Sequence, residues 1–207
     1  ASMVGIKVVE LLVNRGIHTC LADMAPKLFP LAAYDSVAKE IERRLEAKGI
    51  DLALGNALQK AEKTETGYLC TMADGRTIFA DLIVLCIGTR TNLSYLNKNE
   101  IQTNRGILVN DRMETSCPGI FAAGDCSEGH ELQSSSSMVI GLWANAAHQG
   151  ITAGAAMCGK EASFDGNFLH NITHFMDMDF IGFGDNRITG QVITSGDPHR
   201  GLYVEAV

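Results

Sequence analysis

The sequence has no excess of basic residues, and this argues against nucleic acid as a partner. Lys and Arg total 17 residues against 24 Asp and Glu, which gives a formal net charge of -7 at pH 7. The basic residues are also scattered along the chain rather than gathered in a stripe. Proteins that bind nucleic acid need a basic surface that neutralises phosphates. We therefore expect no nucleic-acid partner.

Long apolar runs are a second absence. No stretch approaches the ~18 residues that a membrane-spanning helix requires. The chain also does not open with a charged segment followed by an apolar one, which is the pattern of a secretory signal peptide. We therefore expect no membrane partner and a cytoplasmic location.

Closely spaced cysteine pairs are a third absence. The chain has six cysteines and no C-x-x-C motif, and several of the cysteines lie in apolar runs, where a thiol behaves as a small hydrophobic group. Cys126 follows Asp125 directly, but no resolving cysteine lies at a useful spacing, so we interpret it as a structural thiol. We expect six reduced cysteines, which is consistent with the cytoplasm.

The residues that are present predict alternating helices and strands in the first part of the chain. Apolar residues from Val4 to Leu12, followed by Gly16, predict a helix that begins at the first residues. The segment "IHTCLAD" predicts a buried strand, "YDSVAKEIERRLEAKG" an amphipathic helix and "IDLAL" another strand. This alternation is typical of an α/β domain.

The remaining segments predict a more varied order of elements. The dipeptide Asp74-Gly75 in "GYLCTMADGRTIFA" predicts a hairpin, and "DLIVLCIG" predicts an apolar strand that ends at Gly88. "RGILVND" and "GIFAAGD" predict two more strands, and "GLWANAAHQGITAGAAMCG" predicts a helix that ends at Gly159. After Lys160 the pattern changes to that of an antiparallel unit.

The stretch "GIFAAGDCSEG" raises a specific question about Asp125. Four apolar residues predict a strand covered on both faces, and ligands of open α/β sheets bind at the carboxyl ends of such strands. Asp125 is then placed to accept a hydrogen bond from a sugar or polyol hydroxyl, while Gly124 lets a ligand approach the backbone. The alternative is an aspartate that caps the next helix. The stretch alone leaves both interpretations open.

The amino terminus carries part of a dinucleotide-binding fingerprint. A helix that opens "ASMVG" matches the residues after the first glycine of a G-x-S-x-x-G variant. The fingerprint requires an acid roughly 20 residues later, at the end of the second strand, to bind the ribose hydroxyls of NAD. Asp23 stands at this position. The order of helix start, strand end and acid predicts an NAD site that includes Ser2, Met3, Gly5 and Asp23.

Three segments together resemble the flavoprotein family of pyridine nucleotide-disulfide oxidoreductases. They are "TCLADMAPKLFP", "ADGRTIFADLIVLCIGTRTN" and "TSCPGIFAAGDCSEG". The resemblance is strongest to the branch of NADH oxidases, rubredoxin reductases and nitrite reductases, and it covers essentially all of the chain in the family's order. It implies an α/β fold of the FAD/NAD(P)-binding type, with two Rossmann-like dinucleotide domains.

The resemblance also implies roles for individual residues. Asp23 would bind the NAD ribose, Gly88 would lie where the chain returns from the NAD domain to the FAD domain, and Asp125 would bind the ribityl chain of FAD. The helix that begins near Leu142 and Trp143 would bring its amino end to the flavin ring, where the helix dipole favours the negative charge of a reduced flavin. Trp143 would either stack near the flavin or fill the groove between helix and sheet.

The sequence departs from the family in several places. The amino-terminal FAD half and the first strand of the NAD domain are absent, and the interface domain stops short, so we expect a carboxy-terminal fragment. The expected domains are most of an NAD-binding domain at 1–87, the second segment of the FAD-binding domain at 88–160 and the start of an α+β interface domain at 161–207. Ser2 replaces the middle glycine of the fingerprint, and Thr91 replaces a proline usual in the family.

The resemblance implies that the intact protein is an FAD-dependent NAD(P)H oxidoreductase. It would pass a hydride from NADH to FAD and electrons on to an unidentified acceptor, such as oxygen, a disulfide or rubredoxin. We expect a homodimer when the protein is intact and no activity from the 207 residues alone. No residue stands out as a catalytic acid, base or nucleophile, and we expect no metal at His170 and His174, because their segment is extended. The alternative is a non-catalytic nucleotide-binding or interaction module of a flavoprotein.

Overall fold

The computed structural model describes residues 2–97, 99–134 and 136–207. The chain divides into two units, of which the first joins Ala1–Gly88 with His170–Val207 and the second is Thr89–Leu169. Among the described residues, no helix combines the length and the apolar character that crossing a lipid bilayer would require.

The first unit opens with the predicted alternation of helices and strands. The elements are α1 (Met3–Val13), β1 (Cys20–Asp23), α2 (Asp35–Ala47) and β2 (Asp51–Leu54). β1 and β2 pair in parallel, and α2 provides the crossover that parallel pairing requires. These four predicted elements are confirmed, although Ala1, which the first helix was predicted to include, lies outside the described residues.

Burial on one face explains the position of α2. Ala38, Ile41 and Leu45 are buried, and their spacing of three and four residues places them on the same side of the helix. They join a core cluster that includes Ile6 and Val9 of α1. The two helices thus contribute to a common hydrophobic core.

An antiparallel sheet of three strands follows β2. Its strands are β3 (Leu58–Lys63), β4 (Tyr68–Met72) and β5 (Thr77–Ala80), in that spatial order. The predicted hairpin across Asp74-Gly75 is confirmed as the β4–β5 connection. Gly75 has φ +85°, a conformation that glycine adopts without a steric penalty.

The predicted strand "DLIVLCIG" is wrong. Residues 82–88 form no strand, and no described strand pairs with them. Leu82, Leu85 and Ile87 are 69, 68 and 87% exposed. An apolar run predicts burial, but an extended segment becomes a strand only when a neighbouring strand satisfies its backbone groups.

The second unit contains three short strands and the longest helix of the described chain. They are β6 (Ile107–Leu108), β7 (Ser127–His130), β8 (Ser137–Met138) and α3 (Trp143–Met157). β7 is central, with β6 parallel on one side and β8 antiparallel on the other. The predicted helix is confirmed as α3, whereas the predicted strand "RGILVND" is reduced to the two residues of β6.

The predicted strand "GIFAAGD" is also wrong. Phe121 makes a single bridge to Glu114, Gly124–Cys126 form a 3₁₀ turn, and a strand begins only at Ser127. Gly124 has φ +79°, far from the negative φ of a β-strand. The apolar residues predicted burial, but the left-handed glycine ends the extended path before Asp125.

The residues after 169 form the predicted antiparallel strands. β9 (His170–Phe175) pairs with β10 (Met178–Phe183), and β11 (Ile193–Asp197) pairs with β12 (Leu202–Ala206). The first hairpin also extends the core, because the ring of Phe29 lies 5.6 Å from that of Phe175 and 5.1 Å from that of Phe180. The predicted antiparallel strands are confirmed.

A buried carboxylate on α2 connects this helix to the β11–β12 hairpin. Glu40 is 7% exposed, and it accepts hydrogen bonds from Arg43 at 2.8 Å and from Arg44 at 2.7 Å. The ring of His199 lies 2.9 Å away. The hydrogen bond from Arg43 has the largest effect and that from Arg44 a smaller one, and together they lower the pKa of Glu40 from its ordinary value of 4.5 to about 2.

We expect Glu40→Gln to lower the free energy of unfolding by about 1.5 kcal/mol near neutral pH, because hydrogen bonds to a charged group are lost. The pKa of Glu40 is lower in the folded state, so its stabilisation is fully present above pH 4.5 and is lost as the pH falls toward 2. Denaturant unfolding over a pH series measures the free energy of unfolding of the unsubstituted protein and of Glu40→Gln. The difference between these two values should shrink below pH 4.5.

Glu46→Gln is the matched control, since Glu46 is an exposed carboxylate on the same helix. This control should change the free energy of unfolding by no more than about 0.5 kcal/mol. A stability difference for Glu40→Gln that stays constant down to pH 2 would show that the charge of Glu40 is not responsible.

Candidate functional site

The amino end of α1 is fixed by Ser2. Its Oγ accepts a hydrogen bond from the amide of Gly5 and donates one to the carbonyl of Cys86, both at 3.2 Å. Ser2 therefore caps the helix and also ties its start to the segment that follows β5. The other first-turn amides and the helix dipole make this end favourable for an anion.

Gly5 and Met3 lie in the first turn of the same helix. Gly5 is buried, and a Cβ added to it would lie 3.6 Å from the Cβ of Cys86 and 3.8 Å from Cδ1 of Leu21. These are ordinary van der Waals distances, so the helix lies close to its neighbours without strictly requiring glycine. Met3 is half-buried and packs against the core cluster.

Asp23 is the last residue of β1. Its carboxylate accepts a hydrogen bond from the amide of Ala25 at 2.8 Å, and its carbonyl accepts one from the amide of Asn56 at 3.0 Å. These bonds fix the chain where it leaves the strand. The next basic residue along the chain, Lys27, is 2.6 Å from Asp35. Asp23 thus stands at the carboxyl end of a parallel strand, and the cation that follows it already has a partner.

Gly88 lies two residues after Cys86, in a segment without regular secondary structure. It has φ +87°, and apart from its two chain neighbours no described residue has an atom within 4 Å of the position of an added Cβ. The positive φ accounts for glycine at this position, and the surroundings are open.

In the second unit, the 3₁₀ turn presents Asp125 at the surface. No described residue donates a hydrogen bond to its carboxylate, while its carbonyl accepts one from Thr91 at 3.0 Å. A Cβ added to Gly141 would lie 3.2 Å from Oδ2 of Asp125 and 3.3 Å from its Cγ. A glycine therefore leaves room for a carboxylate that has no partner within the described chain.

The amino end of α3 follows Gly141 directly. Leu142 occupies the N-cap, and no side chain accepts a hydrogen bond there. The first-turn amides are thus left without a side-chain cap. Trp143 is the first residue of the helix and is 91% exposed. The interpretation that Trp143 fills a groove between helix and sheet is wrong, because its ring has almost no cover among the described residues.

A buried polar network holds the turn in place, and the sequence did not predict it. Oε1 of Gln149 accepts hydrogen bonds from the amide of Gly124 at 2.6 Å and from the hydroxyl of Ser127 at 3.0 Å. Its Nε2 donates to Asn167 at 2.8 Å. The Gln149 side chain is 2% exposed, and its two side-chain partners are also buried. The turn that carries Asp125 is thereby anchored to α3.

One signal in the sequence pointed to this network. Asn145, Gln149 and Thr152 are separated by four and three residues, so they share a face of a helix that otherwise consists largely of alanine and glycine. All three are buried. The spacing indicates a polar stripe on a packed face, although it does not identify the partners of that stripe.

The remaining candidate residues form no further site. His170 and His174 lie on β9, so the predicted extended conformation is confirmed, and the ring of His174 lies 2.7 Å from Asp179. No cluster of three or more metal-binding side chains occurs in the described part of the chain. All six cysteines are free thiols, and the thiol of Cys126 donates to the carbonyl of Ala123 at 3.3 Å.

Solved structures share this fold. A ferredoxin reductase from Rhodopseudomonas palustris superposes with a TM-score of 0.90 at 20% identity, covering 99% of this chain and 51% of that one. A water-forming NADH oxidase from Lactobacillus brevis, bound to NADH, gives a TM-score of 0.84 at 26% identity, covering 89% of this chain and 41% of that one. The predicted FAD/NAD(P)-binding fold is confirmed.

Curated relatives agree with the structural neighbours. The NADH-dependent phenylglyoxylate dehydrogenase subunit epsilon of Aromatoleum evansii is 29% identical over 100% of this chain and 50% of its own length. Proteins named NADH oxidase, rubredoxin-NAD(+) reductase and nitrite reductase also match, which confirms the predicted branch. The chain spans between 22 and 50% of the length of these curated relatives.

The family match extends over most of the sequence. Residues 1–150 match the family described as pyridine nucleotide-disulphide oxidoreductase. This range includes the amino end of α1, Asp23, the turn of Asp125 and the amino end of α3. The chain belongs to the pyridine nucleotide-disulphide oxidoreductase family.

Proposed function

We propose that this chain supplies the NAD site and part of the FAD site of an NADH-dependent flavoprotein oxidoreductase. The observation that carries the proposal is the Asp125 carboxylate, which has no donor among the described residues and lies against Gly141 before α3. In this proposal, residues 1–87 belong to an NAD-binding domain, 88–160 to an FAD-binding domain and 161–207 to an interface domain.

The second unit offers FAD two kinds of interaction. Asp125 accepts a hydrogen bond from a hydroxyl of the ribityl chain, and Gly124 lets the ligand approach the backbone. The uncapped first turn of α3, at Leu142 and Trp143, favours negative charge at its amino end. FAD held by these groups would supply the redox chemistry, namely acceptance of a hydride from NADH and delivery of electrons to an acceptor.

The first unit offers NADH a complementary set of groups. The amino end of α1, capped by Ser2, favours the pyrophosphate, and Gly5 packs in this first turn near Leu21 of β1. Met3 supports this turn from the core side. Asp23 accepts hydrogen bonds from the ribose hydroxyls. Gly88 lets the chain turn as it leaves this domain.

The electron acceptor lies outside this chain in our proposal. The described residues hold six free cysteines and no disulfide that could take up electrons. Among the relatives, one is named a rubredoxin-NAD(+) reductase and another an NADH oxidase. We propose oxygen, a disulfide or a small redox protein as the acceptor of a cytoplasmic, homodimeric full-length enzyme.

Cofactor preference tests the assignment of Asp23. Its carboxylate would repel the 2′-phosphate of NADPH, and Lys27 is paired with Asp35. We expect the full-length protein to prefer NADH by about tenfold or more in kcat/KM, and we expect Asp23→Ala to narrow this preference.

Asp51→Ala serves as the control in the same assay. Asp51 is an exposed aspartate at the opposite, amino end of the parallel strand pair. Its replacement should leave the nucleotide preference unchanged. Equal kcat/KM values for the two nucleotides in the unsubstituted enzyme would contradict the assignment.

A further inference from the structure

The turn that carries Asp125 is held by its backbone. The hydroxyl of Ser127 shares its single proton between the carbonyl of Gly124 at 2.8 Å and Oε1 of Gln149 at 3.0 Å, and the hydroxyl of Thr91 donates to the carbonyl of Asp125 at 3.0 Å. The amide of Gly124 donates to Gln149 at 2.6 Å. Because the Asp125 carboxylate itself has no donor in the described chain, these backbone contacts determine where it points.

Gln149 occupies the central place among these contacts. Its Oε1 accepts from both Gly124 and Ser127, so one atom binds the turn at two points. Its Nε2 donates to Asn167, which in turn donates to the carbonyl of Gly129 at 3.4 Å. The same amide therefore ties the turn to α3 and to the end of β7.

The pattern of donors requires a particular kind of side chain. The side chain of residue 149 must accept hydrogen bonds through one terminal atom and donate through the other to the side-chain oxygen, Oδ1, of Asn167. A leucine of similar size makes neither bond and leaves the buried amide of Gly124 without a partner. An ionised glutamate keeps the accepting end but loses the donor, and it places a charge in a buried site.

We propose that Gln149 is a positioning residue for FAD, which fixes the turn at Gly124 so that the Asp125 carboxylate meets the ribityl chain. This inference rests on the proposed function. Gln149 is buried behind the turn and acts through Gly124 and Ser127 rather than by touching the cofactor. In this proposal the flavin site depends on a buried residue, Gln149, as well as on the exposed Asp125.

The test uses the full-length protein after removal of its flavin, with the FAD dissociation constant measured by spectroscopic titration. We expect Gln149→Leu to raise this constant by about tenfold or more. Thr152→Val is the matched control. Thr152 is buried on the same face of α3, and it is not among the described residues that hydrogen-bond to Gly124, Asp125 or Ser127. We expect this control to bind FAD as the unsubstituted protein does.

Gln149→Glu makes the hydrogen-bond pattern at this position dependent on pH within one folded variant, whose fold is checked by circular dichroism at each pH. A protonated glutamate has one accepting oxygen and one donating hydroxyl, so it reproduces the amide pattern, whereas the ionised form does not. Burial raises the pKa of such a carboxyl. The three residues that hydrogen-bond to Gln149, which are Gly124, Ser127 and Asn167, carry no titratable side chain in the pH range of the test. We therefore expect FAD affinity of this variant to recover between about pH 8 and about pH 6.

The outcomes distinguish a failure of the positioning role from a failure of the proposed function. If the unsubstituted full-length protein binds no FAD, the proposed function fails. If it binds FAD and both Gln149 variants bind equally well at both pH values, the positioning role is overturned. The positioning role is also overturned if Gln149→Leu and Thr152→Val weaken FAD binding equally and the FAD affinity of Gln149→Glu does not recover at pH 6. Recovery of Gln149→Glu supports the role even where Gln149→Leu does not fold.

Discussion

The 207-residue chain, purified by itself, is expected to be colourless, whereas the full-length protein is expected to be yellow. These residues offer FAD only two groups in our proposal, the Asp125 carboxylate and the amino end of α3. The partial dinucleotide fingerprint at α1 is assigned to NAD and does not contribute to FAD binding. A hydrogen bond to a charged group contributes about 1.5 to 3 kcal/mol. Nanomolar binding requires about 12 kcal/mol. The contacts available here fall far short of that value.

The measurement is a visible absorption spectrum after incubation with excess FAD and removal of free flavin by gel filtration. The full-length protein treated in the same way is the positive control. Circular dichroism must show that the 207-residue chain is folded, so that the absence of colour reports on the site. A folded chain that stays yellow would show that these residues carry far more of the site than we propose.

Asp125→Ala in the full-length protein should weaken FAD binding by about tenfold to a hundredfold, which corresponds to the loss of one charge-assisted hydrogen bond. No described residue donates to the Asp125 carboxylate, so the substitution removes a ligand contact without breaking an internal bond of the described chain. Asp125→Asn should do less harm, because the amide oxygen still accepts a hydrogen bond from the hydroxyl. Titration of the flavin-free protein with FAD measures all three affinities.

Asp111→Ala is the control for this series. Asp111 is an exposed aspartate of the same unit, and its replacement changes the net charge by the same amount. FAD affinity should be unchanged in this variant. Undiminished affinity in Asp125→Ala would mean that the carboxylate does not bind the cofactor.

Elements whose signals lie within their own sequence were predicted correctly. The periodic apolar positions of α1 and α2 and the Asp74-Gly75 turn all specify local structure, and the structure contains each element. Local propensity and a single buried face are sufficient in these cases.

Segments that depend on distant partners were not predicted. Residues 82–88 have the composition of a buried strand, but no described strand pairs with them, and most of them are exposed. The path at Gly124 is set by Gln149, which lies 25 residues away in the sequence. No local pattern around "GIFAAGD" contains that information.

The candidate site shows the same division. The place of Asp125 after a glycine follows from a short motif and the family resemblance. The contact with Gly141 and the anchoring by Gln149 depend on how the chain folds back through α3. The sequence therefore singled out Asp125 as the candidate group, whereas the contacts that support its turn were found only in the structure.

Anaerobic addition of NADH to the FAD-loaded, full-length protein tests the central claim most directly. We predict that NADH abolishes the visible absorption of the bound flavin, that NADPH at the same concentration does so much more slowly, and that an added acceptor restores it. A flavin spectrum that stays unchanged when NADH is bound would contradict the proposed oxidoreductase and would favour a non-catalytic nucleotide-binding module.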